Sequence, residues 1–220
     1  MRAGAERRRR EPRPDLNLLT PAARSRTSGR DRTPWQDSRL YRERALQIAP
    51  QIRAAKKRVY AIHEAGHFLV AAYLGVIPES LGLDVGAFVQ TGVVVATEPW
   101  ARRLSRTNVV AVLAAGGLAQ QRIGVPAHSG SGSDEDQIEE LRLGAAAVAN
   151  ARRRASEILE LVWPDVLMVA DQLVEHTVLS GETALSYVLF ERLGEAAASE
   201  IARLGLARAY ASAVDRGLGS

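Results

Sequence analysis

Apolar positions recur with helical spacing along most of the 220-residue chain, and the departures from that spacing mark its organisation. Residues 1 to 38 are rich in Arg, Pro, Ser and Thr and carry too few apolar groups to offset the entropy of ordering, which predicts a disordered N-terminal arm. The stretch SRLYRERALQIA reads as a short helix stopped by Pro50. From Gln51 to Leu74 the pattern is helical, and its second half is apolar nearly all round, so the spacing predicts a helix buried in the centre of a domain and ended by Gly75.

Between Ser80 and Thr97 the composition turns to Gly and Val, and LGLDVG and TGVVVAT read as two short strands joined by a turn. Helical spacing returns in TNVVAVLAAGGLAQQRI, where Gly116 and Gly117 predict the close approach of another backbone. After the loop GVPAHSGSGS the pattern predicts a long helix from Asp134 to about Leu161 and a break at Trp163-Pro164-Asp165. A helix from about Asp165 to Val178 and shorter ones after Ser180 and Leu193 follow. The expected fold is a mainly α domain over residues 39 to 215 with a small β-hairpin or sheet, and no internal repeat is visible.

Composition narrows the chemistry. A hydrophobic content of 46% with only 5% aromatic residues suits one helical globular domain. The chain has no cysteine, which excludes disulfides, thiolate metal sites and thiol nucleophiles, so any metal ligands must be His, Asp or Glu. The net charge of +4 conceals an asymmetry: residues 1 to 58 hold 17 Lys/Arg against 6 Asp/Glu, leaving 12 against 19 for the remainder. A basic arm of this kind either binds nucleic acid or another anionic surface nonspecifically or serves as a soluble tail. No apolar run reaches the 18 or more residues needed to span a bilayer, and the four arginines at 7 to 10 lead into EPRPD instead of a signal core. The expectation is a soluble, cytoplasmic protein.

Two of the four histidines lie in YAIHEAGHFLVAAYLG, with His63 and His67 four apart around Glu64. On a helix this spacing puts both imidazoles on one face, where each can direct a nitrogen to a single zinc ion at roughly 2.0 to 2.1 Å. Glu64 then stands beside the metal, placed to take a proton from a water whose pKa the metal lowers toward about 7. The competing reading is a pair of core histidines satisfied by backbone carbonyls. With four His and sixteen Glu in the chain, chance produces the pattern in about four of a thousand shuffled sequences. A buried Glu without a charged partner costs several kcal/mol, and a zinc ion supplies that partner.

A zinc hydrolase uses three protein ligands and leaves a position for water. The variant with a third His six residues on needs Gly at 70 and His at 73, where this chain has Val70 and Tyr73. Downstream candidates are Asp84, Glu98, His128 and the cluster Asp134, Glu135 and Asp136. The cluster opens a helix after a Gly/Ser loop, with Ser133 as cap, and acidic residues there also answer the helix dipole. His128 and His176 are isolated and read as structural or exposed.

AIHEAGHFLVAAYLG resembles the zinc helix of FtsH-type proteases, VLAAGGLAQQRIG their small-residue helix, and GSGSDEDQIEEL the segment bringing their aspartate ligand. WPDVLMVADQLVEHTVLSGETA is similar to the C-terminal helices of that peptidase domain, and the resemblance runs from about Tyr60 to Tyr187. It implies that His63, His67 and Asp134 hold Zn2+ and that Glu64 is the base, Asp134 being preferred to Asp136 because it directly follows the Gly/Ser stretch. It further implies that Gly92, Val93, Val94 and Val95 lie on an edge strand that accepts a peptide by backbone pairing.

The family usually has acidic residues where this chain has Gln120 and Gln121. Its members also carry a membrane anchor and an ATPase domain, whereas this chain has no phosphate loop ending in Lys, its only lysines being Lys56 and Lys57. The expectation is a zinc metalloendopeptidase acting on peptides or unfolded chains, with an ATPase or adaptor partner for delivery and, by family resemblance, a hexameric assembly. The alternative is a catalytically inactive zinc-helix protein that binds nucleic acid or a partner through its basic arm.

Overall fold

The computed structural model describes residues 39–83, 101–126 and 132–218, and the chain divides by compactness into Met1–Arg44 and Ala45–Ser220. The described elements are α1 (Arg39–Tyr73), β1 (Ser80–Gly82), a 3-10 turn (Ala101–Arg103), α2 (Arg106–Arg122), α3 (Gly132–Glu140), α4 (Ala145–His176), β2 (Val178–Ser180), α5 (Gly181–Leu193), α6 (Ala196–Leu204) and α7 (Leu206–Asp215). The fold is mainly helical, as the spacing predicts, with a two-stranded antiparallel sheet among the described residues. The arm over residues 1 to 38, the segment TGVVVAT with Gly92, Val93, Val94 and Val95, and Asp84, Glu98 and His128 lie outside the described residues.

α2 is the buried axis of the domain: every residue from Val109 to Gly117 is buried, and α4 packs along it through Ala151, Ala155, Leu159, Val162 and Val166. Ser105 caps α2 by accepting the Asn108 amide at 3.2 Å, worth about 1 kcal/mol. α1 lies close against α2 because both are small where they meet. A Cβ on Gly66 would come within 3.0 Å of the Ala115 carbonyl oxygen and of Ala119 Cβ. α1 ends as predicted at Gly75, in the left-handed region at φ 93°, where the Gly75 amide donates to Ala72 and the Val76 amide to Ala71, the hydrogen-bond pair that closes a helix at a glycine.

Three predicted boundaries differ. α1 continues through Pro50, and α4 through Pro164, instead of stopping at them. A proline inside a helix costs about 3 kcal/mol. In α4 the apolar face on either side of Pro164, Leu159 and Val162 before it and Val166 and Val169 after it, is continuous and buried. Pro164 itself faces out, so the carbonyl it deprives of a donor is on the solvent side. The helix predicted from Asp134 to Leu161 breaks instead between α3 and α4, where Arg142 turns into the left-handed region at φ 50° and Leu141 and Leu143 pack against the core.

Of the predicted hairpin, the segment TGVVVAT lies outside the described residues, and a second pairing of β1 is seen among the described ones. β1 pairs with β2, Leu81 opposite Leu179, so the sheet joins the segment after α1 to the segment after α4. Gly181 makes that junction possible: a Cβ there would lie 1.8 Å from the Pro78 carbonyl oxygen. Lys57 braces α1 against the end of α4 by donating to the Val174 carbonyl at 2.6 Å.

Candidate metal centre

His63, Glu64 and His67 sit in the part of α1 that is buried on all sides, with exposures of 3%, 8% and 3%. Their neighbours Ile62, Ala65, Phe68 and Leu69 belong to the core, so the helix presents both imidazoles inward. In α3 the residues one turn apart, Asp134 and Ile138, are buried, whereas Glu135, Asp136, Glu139 and Glu140 are exposed. Helical periodicity thus selects one member of the acidic cluster. Ile138 anchors the inward face, Glu135 is salt-bridged to Arg152 of α4, and Asp134 is left pointing at α1.

The three inward groups converge. His63 Nε2 lies 3.0 Å from His67 Nε2, and Asp134 Oδ2 lies 3.1 Å from the former and 3.4 Å from the latter. A tetrahedral ion held at about 2.0 to 2.1 Å needs donor atoms about 3.3 Å apart, so the triangle has the edge lengths such an ion requires. The chemistry of the donor set agrees. The His67 Nδ1–H donates to the Val112 carbonyl at 2.7 Å, which leaves Nε2 of the neutral ring as a lone pair facing the other two groups. Asp134 Oδ2 is buried and has no well-directed hydrogen bond. Two imidazole lone pairs and a carboxylate oxygen with no directed donor meet at one point, and a cation there satisfies all three. This buried His63, His67 and Asp134 group could hold a metal ion.

Without a metal the cluster holds a proton instead. Burial opposes charging of His67, but hydrogen bonding and charge from Asp134, with Glu64 adding to them, outweigh it and raise its pKa to about 9. Burial and the neighbouring His67 push His63 down. Burial raises the Asp134 carboxyl, yet the two imidazoles more than reverse this and hold it well below the usual carboxylate range. The cluster therefore favours one imidazolium beside one carboxylate, and metal uptake must displace that proton. The chain matches no protein-family model and no curated protein, so this geometry alone carries the functional argument.

Of the predicted site residues, His63, His67 and Asp134 are brought together, and Asp136 is on the exposed face of α3. Glu64 is not one of the three converging groups; its charge bears on His67. Gly116 is approached by imidazoles instead of by a backbone: a Cβ there would lie 2.4 Å from His67 Nε2 and 2.7 Å from His63 Nε2. A close approach of the two helices is seen one residue before Gly116, where a Cβ on Gly66 would lie 3.0 Å from the Ala115 carbonyl oxygen. The sequence reading missed the carbonyl of Val112, which orients His67. Nothing in an alanine- and valine-rich helix marks one carbonyl out from the rest.

Proposed function

We propose that this chain is a zinc-dependent endopeptidase of the FtsH type, cleaving peptides or unfolded chains. The observation that carries the reading is the meeting of His63 Nε2, His67 Nε2 and Asp134 Oδ2 within 3.4 Å of one another, in the helical turn that also holds Glu64. Zinc bound there would supply a Lewis acid that polarises a peptide carbonyl and makes water acidic near neutral pH. Glu64 takes the proton from the attacking water and returns it to the departing amine nitrogen. The Val112 carbonyl holds the His67 ring in the tautomer that presents Nε2, and Asp134 supplies the negative charge that keeps the group cation-selective.

The test is metal analysis of the purified protein together with casein cleavage before and after chelation. One zinc per chain and cleavage that is lost on chelation and restored by zinc are expected. Glu64→Gln retains the zinc and loses cleavage. If that variant cut casein at the wild-type rate, Glu64 would not be the base. A purified protein that took up no divalent metal would end the metallopeptidase reading.

A further inference from the structure

Each imidazole of the site has a second ring nitrogen, and only that of His67 has an assigned partner, the Val112 carbonyl. His63 Nε2 faces His67 and Asp134, so in the neutral ring that binds metal its proton sits on Nδ1. This nitrogen is buried and makes no well-directed hydrogen bond. A buried N–H without an acceptor costs about 1 to 3 kcal/mol.

Gln120 is fully buried and, among the described residues, is the one uncharged polar side chain in the buried polar set besides the histidines. It stands four residues beyond Gly116 on α2 and so on the face that meets the imidazoles. Its own carbonyl is engaged by the Ile123 and Val125 amides at 3.1 Å, which holds the backbone at the end of α2. Asp134 and Gln120 are the side chains whose hydrogen bonding favours the charged form of His63. Asp134 is taken up on the Nε2 side. The two ends of an amide exchange by a half-turn about its last torsion, and an Nδ1–H selects the oxygen.

We infer that Gln120 is a positioning residue for the metal site: its amide oxygen accepts the Nδ1–H of His63, so that Nε2 is presented to the ion. The inference rests on the metal-site reading above. Both ligating rings are then steered by neutral acceptors on the same helix, the Val112 carbonyl for His67 and the Gln120 amide for His63. A carboxylate at position 120 would make His63 a more basic ligand, so the glutamine sets an affinity below what the scaffold allows.

Gln120→Met removes the acceptor while keeping the side chain's length and apolar stem, and Gln120→Glu restores an acceptor with charge. By chelator competition, Gln120→Met is expected to weaken zinc binding about 10- to 100-fold, with Gln120→Glu at or above wild-type affinity and the metal-free proteins melting within a few degrees of one another. Equal zinc affinity in wild type and Gln120→Met would overturn the inference. So would an equal loss in both variants, which would mean that the side chain acts only by filling space. Nitrogen-15 spectra of the metal-free wild type separate this from failure of the site itself. The His63 proton is expected on Nδ1, slow to exchange, and fast to exchange in Gln120→Met. A proton on Nε2 would refute the bond whether or not zinc binds.

Discussion

The Nδ1–H of His67 donates to the Val112 carbonyl at 2.7 Å, and this bond between α1 and α2 determines which nitrogen of the ring faces Asp134. The geometry of the converging groups is therefore set by the contact of two helices as much as by the His-Glu-x-x-His turn.

Asp134 is separable from its acidic neighbours. Asp134→Ala leaves two imidazoles without the carboxylate 3.1 and 3.4 Å from them, and metal should no longer survive gel filtration. Asp136→Ala, on the exposed face of α3, should keep one metal per chain. Metal analysis of the two variants side by side checks this, and the reverse pattern would displace Asp134.

Gly116→Ala places a methyl group 2.4 Å from His67 Nε2 and 2.7 Å from His63 Nε2. Neither ring can retreat through a packed core, so overpacking of this kind should cost about 1 to 3 kcal/mol of stability. Metal affinity should fall further than stability does. Calorimetric titration with zinc and thermal melting of the metal-free variant measure the two effects separately. Wild-type affinity in this variant would contradict the close packing of α2 on the site.

The metal-free and metal-bound proteins should respond to pH in opposite directions. The folded pKa of His67 is about 9 against an ordinary 6.5. Its protonation therefore stabilises the metal-free fold fully below 6.5, and the contribution is lost as pH rises through 9. His63 shifts the other way, and its penalty applies only below its ordinary value. Over the window from pH 7 to 9.5 the His67 contribution should dominate. Denaturant unfolding of chelator-treated protein should show declining stability there, while zinc affinity climbs because the competing proton leaves. Asp134→Ala should flatten the first trend; a flat wild-type profile would argue against the imidazolium–carboxylate pair.

Away from the metal site, Asp165, Arg192 and Tyr210 form a buried network joining α4, α5 and α7. Arg192 Nε is 2.9 Å from both Asp165 oxygens, and the Tyr210 hydroxyl donates to Asp165 at 2.8 Å. Burial pushes the Asp165 carboxyl upward despite these partners. Arg192→Met strands a buried carboxylate and should cost about 3 to 5 kcal/mol. Tyr210→Phe removes one hydrogen bond and should cost about 1 to 3 kcal/mol. Both should leave the metal content of the protein unchanged. Equilibrium unfolding gives the ranking, and a loss under about 1 kcal/mol for Arg192→Met would mean that the ion pair is not desolvated.

What the sequence determined by itself was local. The spacing of His63 and His67 puts two rings on one face because an α-helix repeats every 3.6 residues. The apolar residues around them dictate that this face is buried, and Gly75 can end the helix because it lacks a Cβ. The identity of the third group that faces them was among six open candidates on chemistry alone, five carboxylates and His128, and resemblance, not spacing, favoured Asp134.

Tertiary structure decided what depends on contacts between distant segments. Packing of α4 on α2 carries one helix across Pro164, against local propensity, and the packing of Ile138, Leu141 and Leu143 on the core ends another just before Gly144, the N-cap of α4. The same packing pairs β1 with β2 and seats Gly116 and the Val112 carbonyl against the rings. These outcomes turn on buried area and hydrogen-bond satisfaction summed over the whole core, which exceed the preferences that neighbouring residues express along the chain.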